Sequence, residues 1–188
     1  MKAAILFVFT AAAIAQQPTP TVARLYDGPL SNVEREVVSL AEAMPADKYN
    51  FAPKEGAFES VRNFGQQARH IATVNYLCAS AVLQEKTPID PGKTEEGPES
   101  NRTKEQIVKY LKDSFAYAHK ASQSITAANQ LDMVASPFGS GQMVRGDAAS
   151  LLVWHSFDHY GQMVVYARMN RVVPPASQPA PPPPAKKN

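Results

Sequence analysis

The chain has 188 residues, about one ordinary domain, and its formal net charge at pH 7 is only +2. This near balance argues against nucleic acid or an anionic membrane as partner, because both attract a concentrated basic surface. A single cysteine, Cys78, excludes an internal disulfide framework and cysteine-rich zinc modules. The candidate metal ligands are therefore the four histidines, His70, His119, His155 and His159.

The N-terminus has the composition of a cleaved export signal. Lys2 supplies a positive charge, residues 3–13 are almost entirely apolar, and Ala13-Ile14-Ala15 is a small-x-small cleavage site. The apolar run is shorter than the ~20 residues that span a membrane. We therefore predict a signal peptide over residues 1–15, a linker over residues 16–30, and no membrane span after cleavage. The mature protein is expected in the periplasm or outside the cell.

Two helical segments are predicted next. The first begins at Ser31, where the spacing to Glu34 is that of a capping box, and it ends before Pro45. The second runs from about Glu59 to Gln84, because its apolar residues recur every three or four positions and so form one inward face. That face consists of Val61, Phe64, Ala68, Ile71, Asn75, Cys78 and Val82.

Two further helices follow a loop rich in proline and glycine. The third is predicted to begin near Thr103, whose spacing to Gln106 again resembles a capping box, and its inner face extends to Ala128. The fourth is predicted from an Asp147 cap to about Arg171.

These segments predict an all-α protein. No pair of alternating β-branched runs is bounded by hairpin turns, and four amphipathic helices over residues 31–172 indicate a four-helix bundle. The proline-rich residues 173–188 are predicted to form a disordered tail.

Histidines of the second and fourth predicted helices are the strongest chemical signal. His155 and His159 are four residues apart, so on a helix they share a face and can bind one ion. His70 lies beside the inner face of the second helix and is a suitable third ligand. His119 is expected to be exposed, since it lies about 120° from the inner face of its helix. Cys78 is expected to be an inert core thiol.

The spacing alone leaves two interpretations open. A His-x-x-x-His pair is often only two surface or core histidines, so a metal site and a packing role are both compatible with it. Asn75 and Gln162 are candidates to orient the imidazoles or hold a substrate, and are equally compatible with satisfied polar residues inside a bundle. No catalytic residue is identified, because Asp158 is expected to point outward.

Several stretches resemble the DinB/YfiT-like superfamily. They are residues 44–53, residues 64–75 around His70, and the motif His155-x-x-x-His159-x-Gly161-Gln162. The resemblance covers most of the predicted bundle. It implies a four-helix fold, often dimeric, that binds a divalent metal ion, commonly zinc or nickel, through three histidines. In this chain those histidines are His70, His155 and His159.

The resemblance leaves the reaction open. Some superfamily members are S-transferases that use bacillithiol or mycothiol, and others are described as metal-dependent hydrolases. The predicted export signal disfavours thiol transfer here, because those thiols are intracellular. We therefore expect a metal-dependent hydrolase or transferase that acts on a small molecule. The resemblance also implies that the protein can form a homodimer. The alternative is a non-catalytic metal-binding or interaction bundle of the cell envelope.

Overall fold

The computed structural model describes residues 19–179. The predicted signal peptide, residues 1–15, and the end of the proline-rich tail, residues 180–188, lie outside the described residues. Within the described part, four long helices form a bundle, which confirms the helical core of the prediction. They are α1 (Val22–Ala43), α2 (Phe64–Leu83), α3 (Lys104–Gln123) and α4 (Arg145–Met169).

Helix α1 begins at Val22 rather than at Ser31. Thr21 is its N-cap, and the Thr21 hydroxyl accepts a hydrogen bond from the backbone N–H of Arg24 at 3.2 Å. Most of the residues expected to form a linker therefore belong to the helix, which continues through Pro29. Its additional N-terminal turns are held by packing, because Val22 and Tyr26 lie against the hydrophobic core.

Helices α2 and α3 both begin with a capping box. Asn63 and Gln66 form the one at α2, so this helix starts at Phe64 and not at the predicted Glu59. Ser60 has a φ of 65°, in the left-handed region, so a right-handed helix that starts at Glu59 cannot continue through it. The predicted box of Thr103 and Gln106 at α3 is confirmed.

A short hairpin precedes α4, contrary to the expectation of no β-structure. Strands β1 (Met133–Ala135) and β2 (Gln142–Val144) pair antiparallel. Each has only three residues, too few for an alternating pattern to be visible in the sequence. Helix α4 begins directly after β2, so Asp147 lies in its first turn instead of capping it. The helix ends at Met169, shortly before the left-handed Arg171.

The first part of the predicted disordered tail has regular structure. Residues Pro175–Ser177 form a 3-10 turn that packs against α1. Arg168 Nη2 of α4 donates a hydrogen bond to the Ser177 hydroxyl at 3.0 Å. None of the helices between residues 19 and 179 is long and apolar enough to cross a membrane.

The helix packing determines which faces meet. Both α1 and α2 pack against α3 and α4. Helix α4 buries Leu152, Ser156, His159 and Met163, which recur every three or four residues and form its inner face. His70 of α2 is also buried, so the histidines of these two helices meet across the α2–α4 interface.

Candidate metal centre

Three histidines meet between α2 and α4. The candidate ligand nitrogens of His70, His155 and His159 all lie within 4.8 Å of one another, and His155 Nε2 lies 3.2 Å from His70 Nε2. Two nitrogens that bind the same ion at ~2.0–2.1 Å are about 2.9–3.4 Å apart when the angle between them is octahedral to tetrahedral. The distance between His70 and His155 therefore suits shared ligation.

Hydrogen bonds to Nδ1 orient two of the three imidazoles. His70 Nδ1 faces the Glu95 carbonyl oxygen at 2.9 Å, and His159 Nδ1 faces Gln67 Oε1 at 2.5 Å. Both oxygens are acceptors, so in each neutral imidazole Nδ1 carries the proton and the Nε2 lone pair is free. Carbonyl acceptors of this kind hold metal-binding histidines in the correct tautomer.

His155 depends on the other histidines. Its Nδ1 is buried without a hydrogen-bond partner among residues 19–179, and its Nε2 faces His70 Nε2. If His70 Nε2 carries a free lone pair, only a proton or an ion between the two nitrogens relieves their repulsion. A divalent ion would engage both lone pairs at once, so the donor set fits such an ion.

The surroundings of the three imidazoles favour their neutral form. Burial is the largest cause, and it lowers the pKa of His155 to about 3, that of His159 to about 4, and that of His70 below its usual value. The positive charge of Arg62 lowers each pKa further. Neutral imidazole is the form that binds metal ions.

A loop segment, residues 94–98, covers this centre, and we call it the strap. Arg69 Nε donates to the Glu96 carbonyl at 2.9 Å, and its Nη2 donates to two further strap carbonyls. Arg62 Nη2 donates to the Thr94 carbonyl at 3.0 Å. Glu95 has a left-handed φ of 56°. Two arginines therefore fix the backbone that presents the Glu95 carbonyl to His70.

Only glycine fits at one strap position. Gly97 has a φ of 67°, and an added Cβ would lie 2.4 Å from Tyr110 Oη and 2.9 Å from Thr73 Oγ1. Those two hydroxyls hydrogen-bond each other at 3.1 Å. The strap is thus pressed closely onto α2 and α3.

A cavity of about 560 Å³ opens beside His159, the one histidine of the three that lines it. Its wall is mainly polar and is formed by Ser60, Val61, Arg62, Gln66, Gln67, Thr94, Glu96, His159 and Gln162. The cavity wall includes the carboxylate of Glu96, whereas the sequence alone identified no carboxylate for this site. A larger cavity, of about 870 Å³, lies along the strap but is lined by none of the three histidines, so the smaller one is the cavity that adjoins the candidate metal centre.

The two predicted supporting amides have different roles. Gln162 is exposed, and its Oε1 accepts a hydrogen bond from Gln67 Nε2 at 2.9 Å, so it supports His159 through Gln67. Asn75 is fully buried and bonds to Ser114 at 3.3 Å and Ser156 at 3.4 Å. Among the described residues it contacts no site histidine by hydrogen bond, so it is an interhelical link. Gln67, whose Oε1 accepts directly from His159 Nδ1, was not identified by the sequence analysis.

The remaining candidates lie outside the centre. His119 is only partly exposed, contrary to expectation, because its Nδ1 lies 2.6 Å from Asp27 and its Nε2 3.0 Å from Glu34. Burial lowers the pKa of His119, but the hydrogen bonds and charges of these two carboxylates outweigh it, so the net pKa is raised. Cys78 is buried, which raises its pKa to about 12, so its thiol stays protonated.

The second and fourth helices of the bundle bring three histidines to one point, next to a polar cavity. The fold and the site are therefore those of a four-helix-bundle protein with a candidate metal centre. The sequence model of the DinB superfamily matches residues 30–163. The chain therefore belongs to the DinB superfamily, as the resemblance implied.

Solved structures agree on the fold. A DinB-like protein from Bacillus cereus superposes with a TM-score of 0.62 at 16% identity, covering 80% of this chain and 93% of that one. A conserved protein from Enterococcus faecalis gives a TM-score of 0.62 at 14% identity, covering 80% and 98%. At such identities the likeness concerns the fold alone. A search of curated proteins finds no significant match.

Proposed function

We propose that this chain is an exported, metal-dependent hydrolase of a small molecule, with the ion held by His70, His155 and His159. One observation carries the proposal. Three imidazoles converge at one point, His159 lines an adjoining cavity, and among residues 19–179 no further histidine, cysteine or carboxylate joins their group. Three protein ligands leave a coordination position for water or substrate, which distinguishes catalytic from structural sites.

The ion we propose is zinc or nickel, since imidazole ligands suit both. Such an ion lowers the pKa of water and polarises a substrate oxygen. The chain's own residues would orient the ligands and accept a proton. Gln67 and the Glu95 carbonyl hold two imidazoles in the ligating tautomer. Glu96, a carboxylate in the cavity wall, would be the base that accepts a proton from water.

Hydrolysis is favoured over thiol transfer because of where we place the protein. Residues 1–15 have the pattern of an export signal, and bacillithiol or mycothiol would be absent outside the cytoplasm. This placement predicts a mature chain that begins at Gln16. Cell fractionation followed by N-terminal sequencing tests it, and a full-length chain in the cytoplasm would contradict it.

We also propose that the protein is a homodimer formed through α4. The apolar side chains of Trp154, Phe157, Val165 and Met169 are between 38% and 58% exposed on this helix, and exposed apolar patches commonly mark interaction surfaces. Light scattering of the purified protein should give twice the mass of the mature chain, and Trp154→Lys should give the monomer mass. A wild-type monomer contradicts the proposal.

Hydrolysis is tested with a panel of small esters, lactones and amides. We expect turnover that a chelator removes and that added zinc or nickel restores. His159→Ala should be inactive, while His119→Ala, a histidine variant outside the centre, should retain activity. Turnover that persists in His159→Ala would contradict the proposal. A metal-loaded protein that hydrolyses nothing would favour the non-catalytic bundle instead.

A further inference from the structure

The cavity beside His159 has few free hydrogen-bond acceptors in its wall. Gln67 Oε1 accepts from His159, and Gln162 Oε1 accepts from Gln67 Nε2. Gln66 Oε1 accepts from the backbone N–H of Asn63 at 2.9 Å. The side-chain oxygens of all three glutamines that line the cavity therefore each already accept one hydrogen bond.

The carboxylate in the wall is also engaged. Glu96 Oε2 accepts from Gln66 Nε2 at 3.3 Å and lies 3.9 Å from Arg69 Nη1, while Oε1 lies 3.7 Å from Arg62 Nε. Two guanidinium groups face this one carboxylate. Its negative charge is matched within the protein and does not by itself exclude an anionic ligand from the cavity.

Donors, by contrast, remain available. Arg62 Nε is buried and faces Glu96 Oε1, so it is not the available donor. Arg62 Nη1, however, makes no hydrogen bond within residues 19–179, and the Arg62 side chain is 32% exposed. Of the guanidinium nitrogens, Nη2 donates to the strap at Thr94. The side-chain nitrogen of Gln162 has no partner among the described residues, since the Gln162 amide bonds only through its oxygen. The wall therefore suits a ligand that accepts hydrogen bonds.

We propose that this cavity binds the carboxylate group of a small organic acid, with Arg62 and Gln162 as its hydrogen-bond donors. The inference rests on the proposed function, since it names the substrate class of the same site. The planar guanidinium of arginine matches a carboxylate and strengthens its hydrogen bonds. A volume of about 560 Å³ lies within the range of small-molecule pockets. Arg62 is thereby a specificity-determining residue for an acid substrate.

The test is calorimetric titration of the full mature chain, with and without zinc. The probes are succinate and its neutral diamide, succinamide. Succinate should bind at least about tenfold more tightly than succinamide. Arg62→Gln should weaken succinate binding at saturating zinc by about 10- to 100-fold, the range for a hydrogen bond to a charged group, and a separate zinc titration measures any loss of zinc affinity that follows from the lost bond to the strap at Thr94. Arg35→Gln removes an exposed arginine on α1 and should change neither.

Gln162→Glu provides a second variant. It keeps the oxygen that Gln67 needs but replaces the free donor with a negatively charged acceptor, so succinate binding should weaken as well. Because Gln162 is exposed, this variant should fold even if Arg62→Gln does not.

Each outcome decides one of the two proposals. Equal binding of succinamide, or succinate binding unchanged in both Arg62→Gln and Gln162→Glu, overturns the carboxylate inference and leaves the metal centre standing. Inorganic phosphate binding more tightly than succinate also overturns it. A chain that binds no zinc contradicts the proposed function, whereas Arg62-dependent succinate binding in that same chain still supports the inference.

Discussion

A single methyl group at Gly97 tests whether the strap holds His70 in place. An alanine there would keep a φ of 67° and would bring its Cβ to 2.4 Å from Tyr110 Oη. The left-handed conformation costs a non-glycine residue ~1–2 kcal/mol, and overpacking in a close contact costs ~1–3 kcal/mol. We expect Gly97→Ala to lower the free energy of unfolding by about 2–5 kcal/mol.

Gly139 provides the matched control. Its φ is 69°, and an added Cβ would meet nothing within 4 Å. Gly139→Ala therefore carries the conformational cost alone, ~1–2 kcal/mol. Urea unfolding followed by far-UV circular dichroism measures both variants, and the difference between them isolates the crowding at Tyr110.

The same pair of variants tests the link to the metal centre. Displacement of the strap moves the Glu95 carbonyl, which accepts from His70 Nδ1 at 2.9 Å. Loss of such a supporting bond typically lowers metal affinity by 10- to 100-fold, so Gly97→Ala should bind zinc that much more weakly in competition with a chelator. Gly139→Ala should match the wild type. Equal stability and equal zinc affinity in the two variants would refute the assigned role of the strap.

Three other predictions concern the surroundings of the centre. Gln67→Leu removes the acceptor of His159 Nδ1 and should lower zinc affinity by about 10- to 100-fold; an unchanged chelator competition would contradict the assignment. Asn75→Ala should lower the free energy of unfolding by about 1–3 kcal/mol, because it removes two buried hydrogen bonds, to Ser114 and Ser156, each worth ~0.5–1.5 kcal/mol. Zinc affinity should stay constant, and a large loss of affinity would instead place Asn75 in the site. The raised pKa of His119 adds stability that is fully present below the unfolded pKa of about 6.5 and is lost as the pH rises through the higher folded pKa. Urea unfolding across that range should therefore show wild type and His119→Gln converging towards alkaline pH, and parallel curves would show that the pair of carboxylates does not bind the protonated ring.

Local sequence signals predicted those parts of the fold that depend on local structure. The capping box at Thr103 and the four-residue spacing of His155 and His159 each act within one helix, and the structure contains the predicted box and brings the two histidines together. The start of α1 was wrong because Ser31 resembled a cap, whereas the packing of Tyr26 against the core extends the helix towards its N-terminus. No local pattern reports such a tertiary contact.

Among the residues around the centre, too, some could be predicted from local sequence spacing and others could not. Gln67 precedes His70 by three residues, so both lie on one helix face, and that spacing could have identified it. Asn75 follows His70 by five residues, about 140° around the helix, which explains why it faces Ser114 and not the imidazole. Glu95 acts through its backbone carbonyl, which every residue type has, so the sequence contains no sign of its role.

The central claim, a divalent ion held by three histidines, is tested most directly by the metal content of the purified mature protein. Mass spectrometry should find about one zinc or nickel ion per chain in the wild type. His155→Ala should lose it, because two imidazoles bind too weakly to retain an ion through purification, while His119→Ala should retain it. Unchanged metal content in His155→Ala would contradict the three-histidine centre.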